Sequence, residues 1–148
     1  MKLLKGITKM NNFFDKIIKN RNDLYLLILR VTTAYAMFFY HGYGKILGGP
    51  DRWKGLGGAM KVFGIDFFPT FWGFMAMLSE SIGCLFILLG IFSVPSSLIL
   101  SFTMFVVCVG DIVEGEFPEK PILYILILFT FVVFGSGKYS LERYFFKK

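Results

Sequence analysis

The stretch LYLLILRVTTAYAMFFYHGYGKILGG, residues 24–49, decides how the chain is read. Its first seventeen residues are apolar enough to lie in lipid, yet Arg30 stands among them. It ends in four glycines interleaved with the chain's single histidine, His41, and with Lys45 four residues later. Charge in a lipid-compatible run is costly unless it is paired or faces a wet cavity, so both ends of the stretch ask for partners elsewhere.

Three further runs have the same character: 70–92 (TFWGFMAMLSESIGCLFILLGIF), 94–110 (VPSSLILSFTMFVVCVG) and 121–135 (PILYILILFTFVVFG). The 148 residues are 55% apolar and 19% aromatic, with a mean hydropathy of +0.64. A soluble domain of this size needs more polar residues to cover its surface. A membrane span needs roughly 20 apolar residues. The first three runs qualify, and the fourth borrows length from flanks where Lys120 and Lys138 can snorkel to the interfaces. The expectation is an all-α integral membrane four-helix bundle with spans near 24–43, 68–92, 94–112 and 120–136. A soluble bundle of all-round apolar helices is the rival. Residues 24–148 form one domain, with no internal repeat.

Residues 1–23 lack the apolar core of a signal peptide. Leu3, Ile7, Met10, Phe14, Ile17 and Ile18 recur at helical spacing between lysines. This pattern suits an N-terminal amphipathic helix lying in an anionic membrane surface; a basic tail is the alternative. Lysines and arginines then orient the chain. Six precede the first span (Lys2, Lys5, Lys9, Lys16, Lys19, Arg21) and four follow the last (Lys138, Arg143, Lys147, Lys148), against five in the two opposite loops (Lys45, Arg52, Lys54, Lys61, Lys120). Both termini are expected in the cytoplasm, at the inner membrane of a bacterium-like cell. The net charge of +6 is then topological, and no nucleic acid is needed to explain it.

Glycines 42, 44, 48 and 49 read as the end of the first span, opening an outer loop of about twenty residues that is flexible or re-entrant. With outer edges at Tyr43 and Pro69, Arg30 and Glu80 lie ~20 and ~17 Å deep, level enough for an ion pair between neighbouring helices. Gly73, Ala76, Glu80 and Gly83 make a small-residue stripe that would admit a second backbone. Arg30, Ala34, Met37, His41 and Lys45 recur at steps of three and four, so they share a face. Ser97, Ser101, Met104, Cys108 and Asp111 do so in the third span. The two stripes suggest a common interior surface with His41, Lys45 and Asp111 at its outer end. Against this stand the plainer readings: a pair that only locks helices, and an interfacial histidine. One histidine and a distant carboxylate are too few ligands for a metal. Cys84 and Cys108 differ in depth by ~15 Å and form no C-x-x-C, which disfavours a thiol relay.

Arg30 followed by HGYGKILGG, then LSESIGCLFILLGIF (78–92) and FGSGKYSLERYF (134–145), resembles the DoxX family of small four-span membrane proteins in order and spacing. The family positions matched are Arg30, His41, Gly42, Lys45, Glu80, Gly135, Gly137 and Lys138. Ser136 and Glu142 depart from the usual proline and aspartate. The resemblance implies membrane redox chemistry, since related DoxD and DoxA subunits form a thiosulfate:quinone oxidoreductase. It implies oxidoreductase partner subunits and a quinone as the cofactor. On that basis His41, Lys45 and Glu80 are the catalytic candidates, and Arg30, Asp111 and Cys108 the binding candidates. A non-catalytic scaffold subunit and a small transporter stay open, as does a homo-oligomer.

Overall fold

The computed structural model describes residues 21–146, and the amphipathic reading of the N-terminal segment falls mainly outside them. All regular structure among the described residues is helical. A helical rod, Arg21–Phe63, runs past Gly42 and Gly44 and leaves helical backbone at Gly49, the last of the four glycines. It is divided by a kink at Gly49 (φ 61°, ψ −164°) into α1 (residues 21–48) and α2 (residues 50–63), the last turn of which, Gly58–Phe63, is a 3-10 helix. Pro50 explains the kink: proline disfavours helical backbone in the residue before it, and the conformation adopted is essentially open to glycine alone. Then come α3 (Pro69–Leu89), α4 (Ser93–Val113), α5 (Glu119–Phe134) and the short α6 (Leu141–Phe145).

The expected outer loop of twenty residues is therefore helix, and the first span does not end at Tyr43. Among the described residues, three helices are long and apolar enough to cross a membrane: Arg21–Phe63, α3 and α4. α5, with 16 residues, is about 24 Å long.

The rod and α3 pack antiparallel along nearly all of α3. A side chain at Gly57 would overlap the Pro69 carbonyl, and one at Gly73 would overlap the Trp53 carbonyl. Further along, a side chain at Gly42 would overlap the Glu80 carbonyl. At that crossing both helices widen into π turns, Phe38–Gly42 and Ser79–Gly83, which face one another. Near the end of α3 the buried Arg30 lies against Gly90. α4 follows α3 through a tight turn and packs broadly on α5. Met37, Cys84, Ile87, Leu100, Met104, Leu128 and Phe131 form the core between them.

The distribution of polarity is inverted relative to a soluble protein. Large apolar side chains such as Phe102, Phe105, Leu126, Phe129 and Val133 are exposed. Arg30, Glu80, Ser81, Ser93 and Ser97 are buried almost completely. In water this arrangement would leave an unsustainable apolar surface; in lipid it is the expected one.

Candidate functional site

Glu80 is the most completely buried charged residue among the described residues. Its partner is Lys45, whose ammonium donates to Glu80 Oε2. The expected Arg30–Glu80 pair does not form. The reason is the length of the first helix. Gly57, not Tyr43, is level with Pro69, so every residue of α1 lies deeper than an edge at Tyr43 implies. Lys45 is thereby brought level with Glu80, in the middle of α3. Arg30, 15 residues earlier, is ~22 Å further along the helix.

Three local features build the pair. Gly42 lets α1 approach the backbone of Glu80, where any larger residue would collide. The π turn Ser79–Gly83 displaces that segment of α3 from regular helical phase, a distortion common at functional sites. Trp53 Nε1 donates to the Lys45 carbonyl at 2.8 Å across the kink, holding the turn that carries the lysine. Glu80 Oε1, also buried, has no hydrogen-bond partner among the described residues.

Lys45 and Glu80 form the polar part of a cavity of about 320 Å³ between α2, α3 and α4. The remaining wall is almost wholly apolar and includes Met60, Trp72, Met75, Phe102 and Val107, with Thr103 the other polar group. Thr103 Oγ1 hydrogen-bonds Ser79 Oγ at 2.8 Å, tying α4 to the π turn beside Glu80. Thr103, Trp53 and Trp72 went unnoticed in the sequence. A threonine or a tryptophan among apolar neighbours carries little signal of its own.

The other candidates stand apart. His41 is half-buried and meets the Tyr124 ring edge-to-face, with centroids 5.6 Å apart. It lines a second, more open groove between α1 and α5, with Thr33, Tyr40 and Lys120. The π turn Phe38–Gly42 lies between Arg30 and Lys45, so a 3.6-residue stripe extrapolated through it falls out of phase and His41 faces a different groove from Lys45. Asp111 is half-exposed in the last turns of α4 and lines neither cavity, so neither cavity brings His41, Lys45 and Asp111 together. Cys108, half-buried, is a free thiol beyond the cavity wall; Cys84 is a buried one.

Arg30 serves the far end. Its Nη2 donates to the carbonyl of Tyr139, while Nε and Nη1 have no partner among the described residues. The surrounding segment, GSGKYSLE, is bonded on all sides. Lys138 N–H donates to Asp23 Oδ1, Ser136 Oγ to Ser93 Oγ, and Glu142 N–H to the Gly90 carbonyl. One short loop thus ties α1, the end of α3 and the start of α4. Gly135, Gly137 and Lys138 in it are among the residues that carried the resemblance noted in the sequence, whereas Ser136 is one of the departures.

Comparison with known proteins agrees. The DoxX family model matches residues 25–110. The chain belongs to the DoxX family. An uncharacterized protein of Haemophilus influenzae is 32% identical over 94% of this chain and the whole of the relative. No solved structure matches the chain. Membership in DoxX and the apolar helices together make this a membrane protein.

Proposed function

We propose that the chain is a multi-pass inner-membrane subunit of a quinone-linked oxidoreductase system, with Lys45 and Glu80 at the polar end of the quinone site. The observation that carries this reading is a buried ion pair in the wall of an otherwise apolar cavity. A quinone is a flat apolar ring with carbonyl oxygens at its ends. Met60, Trp72, Phe102 and Val107 suit the ring. An ammonium has three N–H donors, so Lys45 keeps donors for a carbonyl beyond the one given to Glu80. Bound there, a quinone supplies two-electron, two-proton redox chemistry. The chain's own residues would bind and orient it: Glu80 holds Lys45 in place, Trp53 holds the turn beneath it, and the apolar wall excludes water.

In this reading the electron donor sits in a partner subunit, and the fourth helix, α5, completes a four-span bundle. The excess of lysine and arginine outside the first and last spans supports cytoplasmic termini, with residues 1–23 on the membrane surface. His41, in the groove beside Tyr124, and Asp111, outside both cavities, are left to partner or lipid contacts.

The test is quinone reduction by membranes supplied with reduced sulfur compounds. Glu80→Gln and Lys45→Met should each lower the rate by about tenfold or more at equal protein level, as loss of a preorganised polar contact does. Wild-type rates in both variants would sink the assignment.

A further inference from the structure

Glu80 presents an acceptor with nothing to accept. A carboxylate has no donor of its own, and only Oε2 is engaged, by Lys45. Oε1 is shielded from solvent and unpartnered, and the residue lines the cavity. A buried carboxylate oxygen left without a donor is costly, so whatever fills the cavity gains by bringing an O–H or N–H group to it. A quinone has only acceptors, so it can accept from Lys45 but leaves Oε1 without a donor. A hydroquinone carries the missing donor. Its hydroxyl can donate to Glu80 Oε1 while the same oxygen accepts from Lys45.

A second observation fixes the rest of the ligand. The cavity adjoins an apolar groove of about 440 Å³ between α3 and α4, with Met75 and Ile99 common to both. The groove continues past Leu78, Ile82 and Phe86 toward the turn at Phe92 and is lined almost entirely by apolar groups. None of its lining residues is charged. It suits a hydrocarbon tail running along the helices from a head group placed at Glu80.

We propose that the site is selective for the reduced, hydroxyl-bearing form of a tailed quinone, with the head between Glu80 and Lys45 and the tail in the α3–α4 groove. This rests on the quinone-site reading and adds to it a preference between redox forms. Preference for the reduced form places the chain beside a reaction that produces or consumes quinol, and makes the hydroxyl the group being recognised.

The experiment uses the full chain in lipid nanodiscs under anaerobic conditions, with calorimetric titration of three probes: a decyl-tailed benzoquinone, its hydroquinone, and the bis-methyl ether of that hydroquinone. The hydroquinone should bind at least about tenfold more tightly than either other probe. In Glu80→Gln, whose amide offers both donor and acceptor, quinone and hydroquinone should fall within about threefold of each other. Equal binding of all three by the wild-type chain overturns the hydroxyl preference and leaves the quinone site standing. A preference that survives in Glu80→Gln overturns the role of Oε1. Failure of all three to bind removes the quinone site itself, and the preference with it. The ether comparison needs no variant, so the proposal is decided even where Glu80→Gln does not fold.

Discussion

At the scale of residues, two cations among the described residues, the buried Arg30 and the partly buried Lys45, keep very different company. Lys45 faces a carboxylate, whereas Arg30 donates to a peptide carbonyl. Removing one member of a buried pair strands the other, at about 3–5 kcal/mol, while replacing both with apolar residues of similar volume is often neutral. Lys45→Met and Glu80→Met should therefore each lower the thermal midpoint sharply in detergent, and the double variant should recover most of the loss while remaining inactive. Equal or additive losses would mean that the pair does not form. Arg30→Lys keeps the charge but not the planar fork, and should destabilise by about 1–3 kcal/mol through the lost bond to Tyr139, read as a lower midpoint. Glu80, Lys45 and Arg30 were all conspicuous in the sequence as charges among apolar residues. Their partnerships were not, because depth was counted from a helix end that four glycines appeared to mark.

The elements explain that misreading. Glycine clusters usually end helices, and Gly49 does leave helical backbone, but packing on α3 carries the rod on through Gly57. Tertiary contact overrides local propensity here: the residues that weaken the helix are those that let it approach its neighbour. Gly73→Val should consequently abolish accumulation of folded protein, because its side chain has no room beside Trp53. Gly55→Ala, with nothing within 4 Å of the added carbon, should be neutral or slightly stabilising by the ordinary helix preference for alanine. Expression of the two variants side by side, followed by size-exclusion profiles, checks both. The helices after Pro69 lie near the expected runs, though α3 ends at Leu89 and not at 92, since proline and apolar runs bound them without competing signals. The π turns were not legible, because the widened turns of both helices arise where their backbones meet.

For the whole molecule, inside-out polarity was readable from hydropathy alone, and it is the feature the structure reproduces most directly. The cavity could not be read, since its walls come from α2, a segment that looked like loop, and from the apolar sides of α3 and α4. The loop at residues 135–142 has a consequence for how the chain is made. Tyr139 follows Arg30 by 109 residues, so the guanidinium enters the bilayer long before its carbonyl partner has been synthesised. Asp23, Gly90 and Ser93 wait for the same segment. The clasp that joins these helices is thus synthesised after all of them. A chain truncated before Gly137 should insert its spans yet be cleared by membrane proteolysis several-fold faster than the full chain, as pulse-chase labelling would show. Arrival of the clasp is, in this sense, sensed by an arginine in the first helix.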